Sequence, residues 1–157
     1  MSSGADTKAQ VALEYIIVVG AMLLIVTSML PVITKQSELS KATAAVRDGA
    51  TYGAALRALG FKAGSSSYVP EGAIKIKEIE LVDKGTNGNL KSYMFRIHII
   101  APDYIKDNSN YKTIVGASVC TQALRQLYYN FNGRYPGSII GSVNTSYYYF
   151  TCGYTFN

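Results

Sequence analysis

"KAQVALEYIIVVGAMLLIVTSMLPVI", from Lys8 to Ile33, decides what the rest of the chain has to be. The 23 residues from Val11 to Ile33 carry one charge, Glu14, four residues after Gln10. At about 1.5 Å per residue, a helix of that length crosses a hydrocarbon layer of about 30 Å. The run is far too long for one strand, despite its many β-branched residues. A secretory signal has a shorter apolar core followed by a small-residue cleavage site, whereas here the small residue, Ala9, precedes the run. Insertion scales put a charge at the centre of a membrane helix at roughly 2.5–3.5 kcal/mol, so Glu14 needs a partner.

Working outward, residues 1–9 are small and polar and read as a leader. Pro31 lacks a backbone donor and predicts a kink, because its ring also crowds the carbonyl four residues back. Beyond it, Leu39, Ala42, Val46, Ala50, Gly53, Leu56 and Leu59 recur at helical spacing, with Lys35, Glu38, Lys41, Arg47, Asp48 and Arg57 mostly elsewhere. Gly60 is the expected C-terminal cap. Residues 10–59 therefore read as one kinked helix of roughly 75 Å, apolar over 10–33 and amphipathic over 34–60.

After "AGSSSYVPEG", residues 63–72, the period changes to two. "AIKIKEIELVD" alternates, slips phase at Lys77-Glu78 and resumes, which predicts a β-bulge. "KGTNGN" predicts a hairpin turn, and "LKSYMFRIHII" places Tyr93, Phe95, Ile97 and Ile99 on one face. "YKTIVGASVC" and "GSIIGSVNTSYYYFTCGYTF" read as further strands, and "TQALRQLYYNF" fits either helix or strand. The expected fold is α+β: the long kinked helix followed by an antiparallel β-rich globular head over 61–157.

Composition narrows the chemistry. With one His, two Cys and no Trp, a zinc site would need His98, Cys120 and Cys152, which lack close metal-ligand spacing. No metal or other cofactor is expected. Neither an acid/base pair, a nucleophile constellation nor a phosphate loop is legible, so no enzymatic activity is expected. The net charge of +5 is scattered rather than clustered, which argues against nucleic acid as a partner. From Thr113 to Asn157 only Arg125 and Arg134 are charged, and Tyr, Ser, Thr, Asn and Gly dominate. Neutral hydrogen-bonding groups and phenols suit contact with proteins or cell surfaces. Cys120 and Cys152 can form one disulfide in an oxidising compartment, and "NTS" at Asn144 is the one glycosylation triplet.

A polar leader, a Gln10-Val11-Ala12-Leu13-Glu14-Tyr15 junction, an unbroken apolar helix and a β-rich head together resemble an archaeal type IV pilin. Gln10, Glu14 and Tyr15 match that family's junction, with Ala12 where it carries serine. Pro31 is similarly placed in bacterial relatives. The resemblance covers about residues 8–60. It implies cleavage between Ala9 and Gln10 by a prepilin peptidase, and a membrane-anchored precursor with its head outside the cell. It also implies assembly by an ATPase and a membrane platform protein into a helical homopolymer. Glu14 would there meet the free amine of Gln10 on the adjacent subunit, so the missing partner would lie on another copy. Gly20, Ala21 and Ser28 allow close helix packing. An adhesive surface pilus is the expected product; an archaellum or pseudopilin subunit, or a single-span anchored binding protein, are the alternatives.

Overall fold

A computed structural model of the chain describes residues 3–60 and 72–157, with side chains from Gln10 onward. The order is α1 (Ser3–Ala58), β1 (Lys75–Asn87), β2 (Leu90–Ile100), α2 (Asp103–Lys106), α3 (Ser109–Asn132), β3 (Ser142–Asn144) and β4 (Tyr148–Phe156). The chain divides into two compact units at Leu39/Ser40, so the last part of α1 belongs to the head. The architecture is α+β, as expected. The expected leader, residues 1–9, lies on the first turns of α1 where described, and its side chains are outside the described residues.

Helical structure runs through Pro31 without interruption. Proline leaves one carbonyl of the preceding turn without its usual donor, and hydroxyls crowd the same region. Thr27 Oγ1 donates to the carbonyls of Leu23 (2.8 Å) and Leu24 (3.1 Å), Ser28 Oγ to Ile25 (2.7 Å), and Thr34 Oγ1 to Leu30 and Pro31 (both 3.0 Å). Such back-bonding satisfies these hydroxyls inside an apolar segment and favours bending. The helix stops where foreseen: Gly60, at φ 71°, takes the left-handed conformation and donates to the Arg57 carbonyl at 3.1 Å.

Within the head, α1 buries Ala42, Ala45, Val46, Ala50 and Ala54. Small residues let α3 approach closely. A Cβ on Gly49 would stand 2.5 Å from the Gln122 carbonyl oxygen and 2.8 Å from the Ala123 Cα, and one on Gly53 would stand 3.0 Å from the Val119 Cα. The stripe differs from the expected one at its C-terminal end. Leu59 is exposed and Arg57 is buried, the Nε of its guanidinium included. Burial holds the Arg57 guanidinium below its ordinary pKa.

The sheet has the order β1-β2-β4-β3. β1 and β2 form the expected hairpin, with the predicted slip between Ile76 and Glu78 and a second shift between Asp83 and Thr86. The two-residue loop begins at Gly88, φ 61°, where a type II′ turn needs glycine. At the second shift Asp83 accepts from the Gly85 N–H (2.8 Å) and pairs with Lys91 (3.0 Å), which holds its carboxyl below the usual range. Phe95, Ile97 and Ile99 face the core as read from their alternation.

The sheet is mixed rather than antiparallel, because β2 and β4 pair in parallel from Lys91/Tyr148 to Ile99/Phe156. A parallel pair requires a long crossover, and α3 occupies it. "YKTIVGASVC", read as a strand, is the first half of this 24-residue helix, and the ambiguous "TQALRQLYYNF" is the second. Tertiary burial overrides β-branched propensity here: Val115, Val119, Cys120, Ala123, Leu124 and Leu127 recur at helical spacing and are buried. Asn108 caps the start, accepting from the Asn110 and Tyr111 N–H groups, and Gly133, φ 69°, ends it.

Cys120 of α3 and Cys152 of β4 are joined in a disulfide, Cα–Cα 5.6 Å. Closing a 32-residue separation restricts the unfolded chain by about 3–4 kcal/mol in the loop-entropy model. Chemical denaturation should therefore show Cys120→Ser/Cys152→Ser losing about 2–5 kcal/mol of head stability. Gly49→Val should cost about 1–3 kcal/mol through overpacking against α3, while Gly20→Val, with nothing within 4 Å of its Cβ, leaves the head transition unchanged.

Candidate functional site

The apolar run is long and apolar enough to cross a membrane, and none of its most apolar window is buried within the chain. From Val11 to Ile33 every large apolar side chain except half-buried Val19 is 51–72% exposed, around the whole circumference of the helix. Soluble domains do not leave such a surface bare, so an external apolar phase or other protein surface has to cover it.

Gln10 and Glu14 lie one helical turn apart, and the Gln10 amide Nε2 donates to Glu14 Oε1 at 3.4 Å. A long bond from a neutral amide solvates one carboxylate oxygen but supplies no countercharge. The two residues that the sequence singled out are thus neighbours on one face of an otherwise apolar rod. Ala9, on the other side of the expected cleavage point, has only its backbone described, as part of α1. Pro31 lies in the same helix, and Gly20 has open space where a Cβ would be.

The remaining sequence-selected residues lie in the head. Asn144 is exposed on the short strand β3, opposite Tyr149, and the next turn is held by Thr145 Oγ1 donating to the Tyr148 carbonyl at 3.1 Å. Cys120 and Cys152 are committed to their disulfide, which removes two of the three side chains a zinc site would have needed. His98 lies on the sheet face opposite the core. It shares a 3.0 Å hydrogen bond with Thr155 and lies 3.7 Å from Glu80, which also pairs with Arg96 at 2.9 Å. Cross-strand pairs of this kind line a solvated sheet face.

Sequence reading missed a cleft of about 540 Å³ in the head, between the α1 segment around Asp48, Gly49 and Tyr52 and the α3 segment around Gln122, Arg125 and Gln126. Tyr135 closes one side. Its ring stacks on Tyr129 (centroids 4.5 Å apart, planes 16°), its hydroxyl donates to Gln126 Oε1 at 3.3 Å, and Arg125 Cζ stands 5.9 Å from its centroid. A faint signal existed: Arg125 is one of only two charges in the last 45 residues.

No protein-family model, curated protein or solved structure matches the chain. An apolar N-terminal helix followed by a sheet-bearing head is compatible with a pilin-like fold. The apolar segment can serve as a membrane anchor. Met22 is at its centre and 62% exposed, so Met22→Lys carries the full insertion penalty, about 2.5–3.5 kcal/mol. Carbonate extraction of membranes should release a substantial soluble fraction of that variant and little of the parent.

Proposed function

We propose that the chain is the structural subunit of an archaeal type IV pilus-like surface filament. The observation that carries this reading is the bare apolar cylinder from Val11 to Ile33 with Glu14 as its one charge, one turn from Gln10. Lipid covers that surface before assembly, with the head outside, and neighbouring copies cover it in the filament. Repeated heterologous contact between identical rods gives an open helical polymer rather than a closed ring.

Cleavage between Ala9 and Gln10 by a prepilin peptidase releases an α-amine at Gln10. Glu14 of the adjacent subunit receives this cation inside the filament core, where low dielectric makes an unpaired carboxylate expensive and a paired one selective. The Gln10 amide solvates Glu14 within its own chain until that ion pair forms. An assembly ATPase and a membrane platform protein supply the transfer out of the bilayer. The head's disulfide suits an oxidising exterior, and its tyrosine-rich, charge-poor C-terminal part suits adhesion.

Electron microscopy of material sheared from producing cells tests the reading. Filaments whose subunit begins at Gln10 by N-terminal sequencing are expected; detergent-soluble monomers alone, or a mature terminus at Met1, refute it and favour a single-span anchored binding protein. Glu14→Ala should be processed normally yet yield at least about tenfold fewer filaments, the equivalent of losing about 1.4 kcal/mol per docking step.

A further inference from the structure

We propose that the head cleft between α1 and α3 is a binding site for a neutral saccharide, with Tyr135 as its stacking platform and Asp48 and Arg125 as its polar poles. The cleft's volume of about 540 Å³ falls within the range of small-molecule sites, about 300–1,000 Å³. The site lies wholly within the head and operates whether or not the chain polymerises.

Tyr135 is the first sign of a built site. An exposed tyrosine on a plain surface is free to rotate, but this one is held three ways, by Tyr129, Gln126 and the Arg125 guanidinium, while remaining 56% exposed. Its orientation is set before any ligand arrives, which lowers the entropic cost of binding. Tyr52, 58% exposed, offers a second ring from the α1 side. Aromatic faces carry partial negative charge and favour the polarised C–H face of a pyranose ring.

Charge selects the class of ligand. Asp48 and Arg125 both line the cleft, and among the described residues neither forms an ion pair. An apolar ligand would strip water from both at several kcal/mol, with nothing in return. An anion is opposed by Asp48 and a cation by Arg125. A polyol answers both, because each hydroxyl donates to a carboxylate and accepts from a guanidinium, and the Gln122 and Gln126 amides do either. A second depression of about 190 Å³ shares Arg125 and runs past Pro136 and Ser138 to Ile139, which is 83% exposed. Two depressions meeting at one arginine fit two linked sugar units.

Saturation-transfer NMR tests this on the full chain, solubilised in a detergent without a sugar headgroup. The probes are cellobiose, chitobiose and mannobiose, with digalacturonate and glycylglycine as the anionic and zwitterionic controls. At least one neutral disaccharide should be saturated and neither control. Tyr135→Ala should weaken that binding about tenfold, as loss of an aromatic anchor does. Tyr52→Ala, at a half-exposed position outside the packing of the head, gives a second variant should Tyr135→Ala lower the melting temperature. Absence of transfer to all three neutral probes overturns the proposal. So does equal or stronger transfer to a control, or neutral binding unchanged in both tyrosine variants.

Discussion

Desolvation of one apolar cylinder governs this molecule. Between Val11 and Ile33 the helix exposes aliphatic side chains on every side, and among the described residues none of its most apolar window is buried. Water cannot be their resting environment, because the free energy of exposing that much hydrocarbon exceeds what a single domain gains by folding. In the filament proposed above, lipid and like helices are the two successive solvents. They differ in how they treat Glu14: lipid offers it nothing, whereas a neighbouring chain can bring a donor. Under that proposal the carboxylate makes the second solvent specific where the aliphatic surface alone would make it merely greasy.

The head has a packing system of its own. Its part of α1 is faced with alanine and glycine so that α3 packs against backbone. The opposite side of α3 lies against the sheet, where Gly116 accommodates the Tyr154 ring at a distance that leaves no room for a Cβ. The Cys120–Cys152 bond ties α3 to the strand whose parallel pairing with β2 depends on that crossover. Phe95 and Phe150 stack with centroids 5.3 Å apart in the layer between. One sheet face is thus sealed, and the other keeps cross-strand pairs such as Glu80–Arg96 in solvent.

Local chemistry made much of this legible. The bulge after Ile76, the glycine-led turn at Gly88, the inward face of Phe95, Ile97 and Ile99 and the helix stop at Gly60 all follow from period or φ preference within a few residues. What was illegible required a partner surface. The "TIVGASVC" stretch has the β-branched content of a strand, and its helical stripe shows only across the whole of Ser109–Asn132. Arg57 and Leu59 exchanged their expected places, while at Gly49 and Gly53 the buried face of α1 lies against the backbone of α3, where there is no room for a larger side chain. Beyond the isolated charge of Arg125 the cleft left no trace in the sequence, since Asp48 and Tyr135 are 87 residues apart and line it together only in the folded head.

By itself the sequence determined that an uncovered apolar helix with one carboxylate leads into a folded α+β head, because length, period and isolated charge are properties of contiguous residues. Tertiary structure alone decided that the head's sheet is mixed, that a helix crosses over to bring Cys120 to Cys152, and that Asp48, Arg125 and Tyr135 share one cleft. These depend on which surfaces pack together. Packing is a competition among distant segments that no single stretch of the chain records.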